Sequence, residues 1–257
     1  MVKRVLLITS ASLFIILGSC KNSTEETNVE SPEVISVSEG IQQRQNQTEF
    51  YVMAASGLSL RKSNTTASDK LAVMPYGSMV IVKLQTTQTS ISVDHIEGVM
   101  QAVVFNGLEG YCFNGYLSPY PMPVKGVSVK DYVAQLKAKN AAVTYKQKEN
   151  DSSFHQGYRE FLELPNIQWH EAYYIAQNLF DVPRSLVFPN PNGITYEVIE
   201  EPTKPKDVWS SDLTVKRTNN TLDTISYRWR AEGSGYGMLI TKPDPSQLQI
   251  ERFVFVD

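Results

Sequence analysis

Trp169-His170-Glu171-Ala172-Tyr173-Tyr174 is the stretch of this sequence closest to a catalytic motif. On a zinc-protease helix, His-Glu is followed one turn later by a second histidine, so that two imidazoles share a face and the glutamate activates water. Position 174 is tyrosine, so the second ligand is missing and His170 reads as a partly exposed helix residue. His95 and His155 lie in polar, loop-like sequence, and no metal site or cofactor is expected. Gly233-Ser234-Gly235-Tyr236-Gly237 has the composition of a phosphate cradle, but strand-like sequence flanks it on both sides. A dinucleotide loop needs a helix after it, so a hairpin with glycines at positive φ is the better reading. The same context denies Ser234 the role of a nucleophile on a strand-to-helix elbow. Glu200-Glu201 and the pair Glu160 and Glu163 read as solvated carboxylates rather than an acid and base. Arg228 and Arg230, with Lys216 and Arg217 nearby, read as strand charges that discourage edge pairing rather than as a cationic site. No enzyme is expected. The 13 tyrosines are the most suggestive surface chemistry: a phenol offers an apolar face and a polar tip. Tyr51, Tyr76, Tyr111 and Tyr116 are the candidate ligand-contacting residues, although several tyrosines must pack the core of so small a unit.

The elements that would position these residues fall into two textures. From Phe50 to Tyr120 come short β-rich runs: EFYVMA, LSLRKS, KLAVM, SMVIVKL, VMQAVVF and EGYCFNGYLS. Asn106-Gly107, between two of them, is the favoured pair for a type I′ turn, and so many short strands predict a small barrel. Pro119, Pro121 and Pro123 read as a linker. Beyond it, Ser128 and Asp131 resemble a capping box for a helix through about Lys139. Trp169, Ala172, Tyr173, Ala176, Leu179 and Phe180 recur at helical spacing, predicting a second helix from about Ile167 to Phe180 that Pro183 terminates. The last 65 residues switch to period two, with strands predicted over 194–199, 213–217, 224–230, 236–241 and 248–256, joined by hairpin-like TNNT, EGSG and KPDPS. The fold class expected is mainly β: a small barrel over 49–121, then an α+β domain over 125–257 in which two helices pack on an antiparallel meander.

The amino terminus carries an address. Lys3 and Arg4 precede an apolar run from Val5 to Gly18, too short to span a bilayer as a helix, and small residues then lead to Cys20. Leu17-Gly18-Ser19-Cys20 resembles the bacterial lipoprotein signal. That resemblance implies removal of residues 1–19, lipidation of Cys20 and anchoring in a membrane by acyl chains, each buried methylene being worth about 0.8 kcal/mol. Lys21, rather than aspartate, after the cysteine is compatible with the outer membrane, facing the periplasm or the cell surface. Losing Lys3 and Arg4 takes the formal charge from −3 to −5, and an acidic chain lacks the basic footprint of a nucleic-acid binder. Cys112 then has no partner, so no internal disulfide is expected. Residues 20–48 join the lipid to a polar run without aromatics, which reads as a flexible tether reaching about 30 Å.

Ser56-Gly57-Leu58-Ser59-Leu60-Arg61, Pro75-Tyr76-Gly77, Asn106-Gly107, Gly110-Tyr111 and Gly115-Tyr116-Leu117-Ser118 together make 49–121 resemble a bacterial SH3-like domain. The sequence departs from that pattern at Asn64, often proline, at Met100, often tryptophan, and at Cys112, often valine or isoleucine. Loss of the tryptophan removes an aromatic from a ligand surface. The resemblance implies a non-catalytic binding module for peptidoglycan peptides or an envelope protein. A cell-wall hydrolase targeted by the module, or a scaffold or inhibitor of another envelope protein, are the alternatives. Residues 125–257 resemble no named family.

Overall fold

The computed structural model describes residues 47–85, 89–139, 141–149 and 158–255; the leader, Cys20, the tether to residue 46 and His155 lie outside them. All eleven of the strand-like runs become strands, with boundaries set by turn residues. In the first half these are β1 (Gln47–Val52), β2 (Leu58–Arg61), β3 (Lys70–Met74), β4 (Met79–Lys83), β5 (Ile91–Val93), β6 (Ile96–Gly98), β7 (Met100–Phe105), β8 (Leu108–Phe113) and the two-residue β9 (Leu117–Ser118). The second half holds α1 (Val129–Ala138), β10 (Thr144–Glu149), β11 (Tyr158–Pro165), α2 (Trp169–Leu179), β12 (Tyr196–Glu200), β13 (Ser210–Thr218), β14 (Thr221–Ala231), β15 (Ser234–Asp244) and β16 (Gln247–Phe255). Among the described residues the fold is thus mainly β with two α-helices, and the strand pairs are antiparallel. Among the described residues no helix is long and apolar enough to cross a membrane.

The first sheet has the order β3-β2-β8-β7-β4-β1-β9. Asn106 (φ 50°) and Gly107 (φ 80°) make the β7–β8 turn in the left-handed conformation expected of a type I′ pair. The closed barrel expected here does not form, because β3 and β9 are unjoined edges. A physical reason lies at β9: Pro119 follows it directly and has no N–H to extend a ladder. β5 and β6, which the sequence reading passed over, form a separate hairpin.

The second sheet has the order β10-β11-β16-β15-β14-β13-β12. Strands β12 to β16 are the expected meander; β11 and β10 extend it beyond β16, and neither was expected. Lys-rich β10 is largely exposed, while β11 buries Leu162 and Leu164. On β14, Ile225 and Tyr227 face inward and Arg228 outward, as period two requires. β14 is central, between β13 and β15, so its arginines guard no edge. Arg228 instead faces Asp212 across the ladder.

α1 begins at Ser128, whose hydroxyl accepts from the Asp131 N–H at 3.1 Å, and it buries Val129, Tyr132, Val133 and Leu136. α2 begins with a reciprocal cap between Gln168 and Glu171. Both helices pack against the second sheet, α1 on β11 and α2 on β15 and β16. One small core, including Leu60, Val103 and Cys112, fills the first sheet. The larger core joins the two halves, with Met53, Phe113 and Tyr120 in the same cluster as Tyr132, Tyr173 and Ile250. The proline segment between the halves is pinned by tyrosine hydroxyls: Tyr132 donates to the Pro121 carbonyl at 2.8 Å and Tyr76 to the Pro123 carbonyl at 3.0 Å. Prolines lack a donor but keep an acceptor, which is what these phenols use.

Candidate functional site

The four candidate tyrosines have different fates. Tyr51 is buried in the shared core, with the Lys139 ammonium 6.0 Å from its ring centroid. Tyr76 is partly buried and spends its hydroxyl on Pro123; burial pushes its pKa up to about 12. Tyr111 is half-buried against the same core. Tyr51 borders a separate cavity of about 500 Å³ beside Tyr120 and Lys139, and Tyr116 lines a cleft of about 590 Å³.

That cleft is built by both halves. The turn Ala54–Gly57, Arg61, Asp94, Met100, Phe113 and Tyr116 come from the first half; Tyr174, Gln177, Arg184 and Val187 come from α2 and the loop after it. Gly57 is required for the turn: its φ is +85°, and a Cβ there would lie 2.7 Å from Val73 Cγ1 and 2.9 Å from the Met74 carbonyl oxygen. Met100, the position where a tryptophan was missed, does line the cleft, and Phe113, Tyr116 and Tyr174 supply the aromatic surface instead.

The cleft's aromatic wall is ordered by hydrogen bonds and ring contacts. The Tyr116 hydroxyl donates to Asp94 Oδ2 at 2.6 Å. Asp94 and His95 reach this position because they turn the β5–β6 hairpin at φ 50° and 65°, a conformation to which Asp and His are better suited than most L-residues. Burial, then the bond to Asp94, raises the Tyr116 pKa, so its phenol stays protonated at neutral pH and remains a donor. Its ring meets Phe113 edge-on at 5.9 Å and lies tilted against Tyr174 at 6.1 Å. Behind them, Gln177 Nε2 donates to the Pro183 and Leu186 carbonyls at 3.1 and 3.0 Å, and Tyr173 donates to Leu186 at 2.6 Å. These bonds hold the loop that carries Arg184.

A second cavity, of about 640 Å³, lies along the same junction and is lined by His95, Glu97, Trp169, His170 and Glu171. His170 is held neutral there: burial lowers its pKa to about 4 against an opposing contact with the Gly115 backbone. Burial raises the Glu171 pKa, while one of its oxygens accepts from the Gln168 N–H at 2.8 Å. Position 174, where a metalloprotease would carry its second histidine, instead packs Tyr174 against Tyr116. Among the described residues no three His, Cys, Asp or Glu side chains group as metal ligands.

Other candidates resolve differently from their sequence reading. Glu160 is buried rather than solvated, accepting from Tyr145 at 2.8 Å and Arg252 at 3.0 Å. Arg217 is buried, not part of a surface patch. Gly233 (φ +72°) turns the β14–β15 hairpin, and Gly237 is a strand residue at which a Cβ would collide with the Tyr227 carbonyl.

The chain matches no protein-family profile, no curated protein and no solved structure. Its functional reading therefore rests on the chemistry of its own residues.

Proposed function

We propose that this protein is a non-catalytic binding protein of the bacterial envelope, anchored in a membrane by lipid on Cys20, whose ligand is a peptide of the cell wall. The segment between Cys20 and β1 tethers the folded part, and an SH3-like unit at 49–121 works together with residues 125–257. The observation that carries this reading is the cleft between the two halves: aromatic side chains with polar tips, two arginines and one carboxylate around a space of about 590 Å³, within the size range of sites that enclose small ligands. The turn order and the glycine and tyrosine positions of 49–121 support the SH3-like part, and the Lys3-to-Cys20 pattern supports the anchor. Lipid attachment confines such a site near the wall and raises its effective concentration there.

Co-sedimentation of the full chain, solubilised in detergent, with purified peptidoglycan sacculi tests the proposal. Saturable binding that Tyr174→Ala weakens is expected, since that ring forms part of the cleft wall. A folded protein that stays in the supernatant would sink the wall-binding reading and direct the search to a protein partner.

A further inference from the structure

The charged groups of the cleft specify more than its aromatic wall does. Arg184 is exposed on the loop after α2 and makes no hydrogen bond or ion pair with a described residue. Arg61 is partly buried on β2 and donates one guanidinium N–H to the Ser68 carbonyl at 2.6 Å, leaving the rest of its fork open. Both line the same space, and Asp94 is the one carboxylate among its lining residues. Asp94 already accepts the Tyr116 hydroxyl at 2.6 Å. Neither arginine has an ion-pair partner within the described part of the cleft, so the site carries excess positive charge beside an apolar wall.

Guanidinium groups recognise carboxylates through paired, planar hydrogen bonds that a lysine ammonium cannot reproduce. We infer that the cleft selects peptides presenting a free carboxylate, which Arg184 and Arg61 receive while an adjacent apolar portion of the ligand packs on Phe113, Tyr116 and Tyr174. Arg184 is the selective group, because it has no structural bond to give up. Arg61 holds the turn through Ser68 as well as facing the ligand. The inference rests on the cleft being the binding site and adds the chemical class of what it binds.

The test uses the full chain in detergent and fluorescent stem peptides released from peptidoglycan, either with their carboxylates free or with the same groups converted to amides. Amidation is expected to weaken binding by about tenfold or more, the loss of a charge-assisted pair. Arg184→Gln should weaken binding of the free acid similarly while leaving the amide unaffected, and Arg184→Lys should restore part of it. Arg184 is exposed, so these variants keep the fold, checked by circular dichroism. Equal, saturable binding of acid and amide would overturn the carboxylate inference and leave the cleft as a binding site. Sensitivity to amidation with no effect of Arg184→Gln would overturn the assignment to this cleft. Failure of both peptides to bind the folded protein would remove the wall-binding reading and this inference with it.

Discussion

Arg217 shows how much one residue's surroundings can differ from its type. Its side chain is fully buried, donating to the Asn190 carbonyl at 2.6 and 3.1 Å, to the Ile194 carbonyl at 3.0 Å and to Glu197 at 2.8 Å. It ties the loop before β12 and the edge strand itself to β13. Arg217→Met would leave two carbonyls without these donors; at about 1–3 kcal/mol for each unsatisfied group, less what water recovers, a loss of about 2 to 4 kcal/mol is expected. Urea denaturation measures it, and a change below about 0.5 kcal/mol, ordinary for a surface site, would refute the role. The signal was in the sequence: the alternation of Leu213 and Val215 continues inward to position 217, but a cation beside Lys216 reads as surface. His170 supplies a second residue-scale prediction. Its pKa falls from 6.5 to about 4 in the fold, so between those values the unfolded chain binds a proton that the folded chain does not. The stability from the neutral ring is therefore complete above about pH 6.5 and is lost as pH falls to about 4. Glu171, with its pKa raised by burial, works in the opposite sense. His170→Gln should flatten the decline in urea stability between about pH 7 and pH 4.5, and an unchanged slope would refute this account.

At the scale of elements, the turn before β2 positions one wall of the cleft. Its Gly57 N–H closes on the Ala54 carbonyl at 2.9 Å, and the left-handed φ of +85° leaves no room for a side chain beside Val73. Gly57→Ala is expected to cost about 1–2 kcal/mol from conformation alone, with the contact to the Met74 backbone adding to it, and to weaken cleft binding beyond that loss. A thermal melt checks the first effect; a variant as stable as the parent would mean that the turn relaxes freely. Elements with strong periodicity or explicit end signals were legible: both helices, with Ser128 at one start, the Asn106-Gly107 turn and the five-strand meander. β5–β6 was not, because its strands are three residues each and its turn is Asp94-His95 rather than a glycine pair. β10 was hidden by its lysines and glutamate, and β11 by a pattern that puts Glu160 inside; its partners, Tyr145 and Arg252, are distant in sequence. The cleft was half legible for the same reason. Tyr116 stood out by type, while Tyr174, Gln177 and Arg184 belong to it only through the packing of α2 on the first half.

For the whole molecule, the prolines at 119, 121 and 123 suggested two domains on a linker, yet the larger core takes residues from both sides of them. Tyr120 crosses the same boundary, donating to the Pro165 carbonyl at 2.7 Å. Halves that share buried side chains lose much of their apolar burial when separated, so they should unfold together. The sequence provides a clean way to see this, because all 3 tryptophans, Trp169, Trp209 and Trp229, lie in the second half. Indole fluorescence thus reports on the second half, whereas far-ultraviolet circular dichroism reports on both sheets. Coincident denaturation curves by the two probes are expected of one cooperative unit. Leu60→Ala sharpens the test: Leu60 is 0% exposed in the core of the first sheet, and its truncation should cost about 2–5 kcal/mol. In a coupled molecule the tryptophan curve shifts to lower urea with the circular dichroism curve, although no tryptophan lies in that half. A tryptophan curve left in place, with only part of the circular dichroism change moving, would show two independent domains. That result would also remove the reason for expecting a cleft whose opposite walls, Tyr116 and Tyr174, stay in register while a ligand is held between them.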